Sequence, residues 1–158
     1  ILGNHEFYVG LSNSISFLEK SGFTILRNKF VNIKDNLILV GIDDDTVKRY
    51  DGSLPDDLLL LRDLPINAFI IFLKHKPKIE KETLKYFDLQ LSGHTHNGQI
   101  FPFTLIVKIF FPVKSGISVV EQEDKITYLY NSRGTGTWGP PVRLLSKPEI
   151  TLIEIIGN

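Results

Sequence analysis

The chain contains four histidines, and each stands in a short segment suited to holding a metal ion or moving a proton. His5 lies in Gly3-Asn4-His5-Glu6 and His75 in Leu73-Lys74-His75-Lys76-Pro77. His94 and His96 share Ser92-Gly93-His94-Thr95-His96-Asn97-Gly98-Gln99. Neutral imidazole is the commonest metal ligand, and the same ring titrates near neutrality as an acid or base. There is no cysteine, so any metal must take imidazole, carboxylate, amide or water ligands. A His-x-His pair on extended backbone directs both rings to one face; in a tight turn after a strand the rings instead diverge toward two neighbouring metals. Gly93 and Gly98 let the backbone come close to a site. His75, after an apolar strand, is either a ligand or a satisfied strand-end residue. Its neighbours Lys74 and Lys76 disfavour a cation unless they point away or toward an anionic substrate. Asn4 offers a neutral oxygen donor, which leaves His5 beside a metal as a general acid for a leaving oxygen. The same segment also reads as a helix start, with Asn4 as N-cap and Glu6 in the first turn. Together the motifs point to a metal-dependent hydrolase.

Such residues need elements that bring them to one edge of a fold. Phe7, Leu11, Ile15 and Leu18 recur at helical spacing, which predicts a helix over Phe7 to Lys20 ended by Ser21-Gly22. Strands are expected at Thr24 to Leu26, Val31 to Ile33 and Leu37 to Ile42, with turns at Asn28-Lys29 and Lys34-Asp35-Asn36. Asp43-Asp44-Asp45 opens a polar loop, and Ser53 or Asp56 caps a short helix with Leu58 to Leu61 on its buried side. Ala68 to Leu73 is a continuous apolar run, the pattern of a strand covered on both faces, and it leads to His75. Glu80 to Phe87 reads as a short helix and Leu89 to Leu91 as another buried strand, which ends at the Gly93 turn. Each of these two strands delivers a histidine at its C-terminal end, where open α/β sheets bind ligands. Gly116 to Val120 and Lys125 to Tyr130 form a hairpin around Glu121-Gln122-Glu123-Asp124. Asn131 to Pro141 is a Gly/Pro loop, and Glu149 to Ile156 a final strand. The class is α/β (α+β).

At 158 residues the chain is long enough for one domain with a sizeable core. Its 42% hydrophobic and 23% charged residues are those of a globular protein. Eighteen basic and eighteen acidic residues cancel, which argues against a large non-specific nucleic-acid surface, and no nucleic-acid partner is expected. There is no methionine, and the chain begins at the bulky Ile1, three residues before a motif. Residues 1–158 are therefore expected to be the C-terminal portion of a single longer domain.

Gly-Asn-His-Glu, then His before Pro, then Gly-His-Thr-His, in that order, resembles the calcineurin-like metallophosphoesterase family. Tyr128-Leu129-Tyr130-Asn131-Ser132-Arg133-Gly134, Pro141-Val142-Arg143 and Pro148-Glu149-Ile150 are similar to the tail of its bacterial membrane-associated branch. That branch includes phosphodiesterases and enzymes like UDP-2,3-diacylglucosamine pyrophosphatase. The resemblance implies that Asn4, His75 and His94 bind one metal, that His96 binds the other, and that His5 is the catalytic acid. It implies two divalent ions (manganese, iron or zinc) about 3.5–4 Å apart, with a bridging hydroxide attacking phosphorus in line with the leaving group. It further implies a four-layer αββα sandwich of two mixed sheets. The family's Asp-x-His and Gly-Asp-x-x-Asp motifs, which supply the remaining ligands and the bridging carboxylate, do not occur ahead of Gly3. The 158-residue chain by itself is thus expected to lack the opening strands, to bind metal weakly, to be nearly inactive, and to be prone to self-association. Asp43-Asp44-Asp45 is read as a solvated capping loop rather than a substitute for the bridging carboxylate.

Ile100 to Val113 is apolar except for Thr104 and Lys108, and fourteen residues are too few to span a bilayer. The plain reading is a core strand or a cover over the sheet. The sharper one is an apolar lip beside the site that touches lipid or binds acyl chains, with a lipid-linked phosphate or pyrophosphate as substrate. Localisation is then cytoplasmic, or peripheral at the inner membrane. Arg133 and Arg143 flank the Gly134 to Gly139 loop; an arginine there clamps a phosphate or supports the loop, and Arg133 is the candidate substrate contact. Trp138 either stacks on a ligand or covers the hairpin. The leading reading is a phosphodiester or pyrophosphate hydrolase; the alternatives are a phosphomonoesterase, or a scaffold that binds partners without metals.

Overall fold

The computed structural model describes residues 1–34, 36–51 and 54–157, so Asp35 in the expected turn and Ser53 as a candidate cap lie outside the described residues. In chain order the elements are α1 (Asn4–Tyr8), α2 (Leu11–Lys20), β1 (Lys29–Lys34), β2 (Leu37–Gly41), α3 (Lys48–Asp51), α4 (Asp57–Leu61), β3 (Phe69–Leu73), β4 (Leu89–Ser92), α5 (Phe103–Phe110), β5 (Gly116–Gln122) and β6 (Lys125–Asn131). Short 3-10 turns occupy Asp45–Val47, Lys81–Tyr86 and His96–Gly98.

The strands form one six-stranded mixed sheet in the order β1-β2-β3-β4-β6-β5. β2, β3, β4 and β6 run parallel, while β1 and β5 close the two edges antiparallel. The α/β class therefore holds. The second sheet of the expected sandwich is not seen among the described residues, because β6 pairs with β4 and carries its hairpin partner β5 into the same sheet.

Period-two alternation sorts the strand residues onto two faces. Ile38 and Val40 of β2 with Ile70 and Phe72 of β3 point to one face, where they pack with Ile42, Leu61, Leu84 and Phe87 as the main core. The opposite face carries Leu39, Ile71, Leu89, Tyr128 and Val119 side by side across five strands. Leu89 is buried there, but Tyr128 and Val119 are exposed. This face is apolar and only partly covered.

Several boundaries differ from expectation for identifiable reasons. The helix expected over Phe7 to Lys20 is two helices, broken at Gly10, whose φ of 110° no helix accommodates. The pieces fold together: Leu2, Phe7 and Val47 form a small second core against Leu11, Ile15, Leu18 and Ile25. Thr24 to Leu26 is not a strand; Leu26 instead lies over the bare backbone of Gly41, where any side chain would collide with it. Asp56 does cap α4, accepting from Leu59 N–H at 2.9 Å, but Leu59 itself is exposed. The hairpin turn is tighter than expected, Glu123-Asp124 alone, with Glu123 at φ 54°. Glu149 to Ile156 forms no ladder. It is anchored at its start, where Glu149 N–H donates to Gly134 O at 3.1 Å, and Ile150 and Leu152 beyond are exposed. Ile100 to Val113 is neither a core strand nor a cover. Its central part is α5, a helix with no buried residue.

Candidate functional site

Because β3 and β4 are parallel neighbours, their C-terminal ends meet at one edge of the sheet. The ladder extends one step beyond each strand: Lys74 N–H donates to Leu91 O at 3.1 Å and Gly93 N–H to His75 O at 3.0 Å. These bonds fix the spacing of His75 and His94. The third component comes from α1. Leu2 and Phe7 are buried on either side of Asn4 and draw its side chain inward. Asn4 is not the N-cap expected from sequence. Gly3 occupies that position, and Glu6 reaches back to accept from Gly3 N–H at 2.8 Å. The Asn4 amide is thereby left free for another task.

That task is visible in the distances. Asn4 Oδ1 lies 2.9 Å from His75 Nε2, and His94 Nδ1 lies 3.1 Å from the same nitrogen. A neutral ring nitrogen offers either one proton or one lone pair, so His75 Nε2 has only one hydrogen-bonding function to share between two partners. A cation satisfies all three atoms at once. Two donors each about 2.1 Å from a metal and at right angles are about 3 Å apart, the spacing seen here. Burial pushes the His94 pKa down to about 4, helped by the neighbouring His75 and Lys76. Burial also lowers His75 and His96, the latter with help from the Arg143 guanidinium. All three rings are therefore in the neutral, ligand-competent form at pH 7. Among the described residues no three histidine or carboxylate side chains gather at one point, so the amide oxygen of Asn4 is what completes this donor set.

His96 follows His94 in a tight turn, not on extended backbone. His94, His96, Asn97 and Gln99 all have φ between 47° and 67°, so the segment coils instead of extending. Such a run of left-handed residues is uncommon outside functional turns. Thr95 is buried beneath it and receives Asn97 N–H and Asn131 Nδ2, each at 3.4 Å. His96 Nδ1 sits 3.3 Å from Arg143 Nη2, and its carbonyl accepts from Ser146 Oγ at 2.7 Å. His5 is exposed, edge-on to the Tyr8 ring at 5.7 Å.

Asn4, His5, His75, His94 and His96 all line one cavity of about 580 Å³. Its remaining walls include Tyr8, Ile100, Phe103, Val107, Trp138 and Pro140, so a polar floor meets an apolar rim. Gln99 builds much of this rim. Its buried side-chain amide donates to Trp138 O at 2.8 Å and Pro140 O at 3.1 Å, and its Oε1 accepts from Trp138 N–H. Trp138 is thus held among the residues that line the cavity. Neither Gln99 nor Tyr8 stood out in the sequence; Gln99 betrayed itself only by ending the Gly-His-Thr-His-Asn-Gly run.

The charged residues nearby are mostly spent on one another. Lys74 pairs with Asp57, Lys76 with Asp44 and Asp45, and Lys78 with Asp45, so the lysines around His75 point away from the cavity. Asp43 and Asp44 are buried, not solvated: Asp43 is held by Arg27 at 2.7 Å, and Asp44 caps the turn at Thr46. Arg133 does not line the histidine cavity; it contributes to a neighbouring one of about 210 Å³ and lies 3.5 Å from Glu149. Arg143 is the arginine that touches a candidate site residue.

A family model described as calcineurin-like phosphoesterase matches residues 1–98. The chain belongs to the calcineurin-like phosphoesterase family. An uncharacterized metallophosphoesterase of Aquifex aeolicus is 42% identical over 100% of this chain and 60% of its own length. A Helicobacter pylori protein of the same description is 36% identical over 98% of this chain and 41% of its own. A zebrafish (Danio rerio) protein named transmembrane protein with metallophosphoesterase domain is 33% identical over 97% of this chain and 37% of its own. The chain thus spans between about two fifths and three fifths of these relatives, which come from animals as well as bacteria. Their names bear out the family but not a UDP-2,3-diacylglucosamine pyrophosphatase branch. No solved structure gives a significant match.

Proposed function

We propose that these residues form part of a dinuclear metal site that hydrolyses phosphodiester or pyrophosphate bonds. The observation that carries the reading is the convergence on His75 Nε2, which has Asn4 Oδ1 at 2.9 Å and His94 Nδ1 at 3.1 Å. Asn4, His75 and His94 hold one divalent ion, and His96 contributes to a second. Manganese, iron and zinc all suit imidazole and oxygen donors. When bound, such ions supply a nucleophile at neutral pH and positive charge for the transition state. His5, exposed at the cavity wall and outside the donor set, gives its proton to the leaving oxygen. The apolar rim of Tyr8, Phe103, Val107 and Trp138 receives the rest of the substrate, which fits a lipid-linked phosphoester better than a wholly polar one. Two animal relatives are named transmembrane proteins with a metallophosphoesterase domain, which supports a membrane-linked reading. No helix among the described residues is long and apolar enough to cross a membrane.

Among the described residues no three histidine or carboxylate side chains gather to hold an ion, so the 158-residue chain alone should turn over slowly. The decisive assay uses the full gene product, with manganese, against bis(p-nitrophenyl) phosphate, p-nitrophenyl phosphate and a diester of pyrophosphate. Metal-dependent turnover that favours the diester or pyrophosphate supports the proposal. Preference for the monoester shifts the reading to a phosphomonoesterase, and absence of any metal-dependent hydrolysis overturns it.

A further inference from the structure

Helix α5 presents two apolar faces, and they have different neighbours. Its inner side is set by Thr104, which lies against the bare backbone of Gly98, and by Val107, which lines the histidine cavity with Phe103. Phe111, just past the helix end, packs edge-on against the His94 ring at 5.4 Å. The outer side consists of two i, i+4 pairs, Leu105 with Ile109 and Ile106 with Phe110. Leu105 is 55% exposed, Ile106 46%, Ile109 78% and Phe110 73%. Scattered exposed apolar residues need no explanation, but four on one helix face form a patch that does.

We infer that α5 is an interfacial membrane-docking helix that sets the mouth of the histidine cavity at the surface of an anionic lipid bilayer. Three observations select lipid as the occupant. From Leu89 to Val120 the chain carries no carboxylate, and its two lysines are Lys108 on the helix and Lys114 just beyond its end. That charge pattern complements anionic headgroups, with the lysine stems running along the apolar surface and their ammonium groups in the headgroup layer. The helix has eight residues and is about 12 Å long, far short of the roughly 30 Å hydrocarbon core, so it can lie in the interface but not cross it. The outer face is also continuous with the apolar rim through Phe103, which joins a lipid surface to the cavity without an intervening polar barrier. The inference deepens the proposed lipid-linked phosphoester, since such a substrate would reach the histidines without leaving the interface.

The test is vesicle co-sedimentation, using vesicles of phosphatidylcholine alone or with phosphatidylglycerol, and it needs no catalysis. The protein is expected to bind the anionic vesicles and to be released by salt. Ile109→Glu combined with Phe110→Glu, neither of which lines the cavity, should lower partitioning at least about tenfold while leaving hydrolysis of a small soluble ester unchanged. Lys108→Gln with Lys114→Gln, a change too mild to unfold the chain, should weaken binding to anionic vesicles selectively. Failure of the unaltered protein to bind, or undiminished binding by both variants, overturns the inference. So does a dimer that the Glu variant abolishes, because the face would then belong to a second copy. Vesicle binding without hydrolysis would refute the proposed reaction and leave the docking helix standing; hydrolysis without vesicle binding would do the reverse.

Discussion

Gly3→Ala is the most discriminating single change. A methyl group at this position would stand 2.6 Å from Cε1, 2.8 Å from Nδ1 and 2.9 Å from Nε2 of His75, inside the 3.4 Å at which ordinary contact begins. The backbone is not at issue, since Gly3 has φ −94°, which any residue adopts. Without the collision, replacing glycine by alanine at such a position would stabilise the fold by about 0.4–1 kcal/mol through the unfolded chain. With it, the imidazole must recede by about 0.5 to 0.8 Å, several times the ±0.2 Å tolerance of a metal–ligand distance. His75 Nε2 is the atom shared by Asn4 and His94, so its displacement opens both contacts. The expected outcome is a loss of roughly 10- to 100-fold in manganese affinity, about 1.4 to 2.7 kcal/mol. Overpacking should also cost about 1–3 kcal/mol of stability, or some 2–4 °C of melting temperature per kcal/mol in a domain of this size. Isothermal titration and thermal melts with and without manganese measure the two effects. Gly93→Ala is the control: nothing lies within 4 Å of its methyl group and its φ is not positive, so it should be tolerated although it adjoins His94. A Gly3→Ala protein that melts higher than its parent and binds manganese as tightly would refute the assigned packing and the donor set together.

Three further changes separate the roles of individual groups. His5→Asn in the metal-loaded full gene product should lower kcat by roughly 10²- to 10⁴-fold with manganese affinity unchanged; a matching loss of affinity would make His5 a ligand instead of an acid. Gln99→Ala removes a buried amide that satisfies Trp138 and Pro140, so urea denaturation should show a loss of about 1–3 kcal/mol. Trp138 is the sole tryptophan, and its emission should shift in that variant; an unchanged spectrum would place the indole independently of Gln99. Burial works to raise the Asp45 carboxyl, but the hydrogen bonds and charges of Lys76 and Lys78 prevail and hold it well below the usual range. The native state therefore binds fewer protons than the unfolded one, and Asp45 contributes stability that is present above the ordinary value of 3.8 and lost as pH falls below it. Urea midpoints measured from pH 5 to pH 2 should fall less steeply for Asp45→Asn; identical slopes would exclude the contribution.

What was readable in advance followed from how locally each feature is encoded. β3 and β4 announce themselves as apolar runs, and because parallel neighbours end at one edge, the meeting of His75 and His94 was implied by those runs alone. The capping of α4 by Asp56 is likewise a matter of a few adjacent residues. The failures lie where distant groups decide. Leu26 leaves strand geometry to fill the space over Gly41, fifteen positions away in sequence. Glu149 to Ile156 has the alternation of a strand, but a strand needs an edge to pair with. Asp43 and Asp44 look solvated in sequence, and only the folded chain brings Arg27 and Lys76 to them. The Ile100 to Val113 segment carries a helical repeat that its aromatic and β-branched content masked, and three of its four phenylalanines play unlike parts: Phe103 lines the cavity, Phe110 faces out, and Phe111 supports His94.

The same contrast divides the site itself. His75 and His94 are positioned by the sheet ladder, whose bonds continue through Lys74, His75 and Gly93, so their separation is as rigid as the register of β3 on β4. Asn4 joins them through a buried helical turn. Disturbing this half of the site means disturbing the core. His96 and Trp138 are held differently, by a coiled turn and a loop pinned to each other through Gln99, Arg143 and Ser146. Those pins can change without unfolding the sheet. Affinity for the first ion should therefore track global stability across variants, whereas the position of His96 and the shape of the apolar rim can be altered by loop substitutions alone, which puts substrate preference on the more adjustable half.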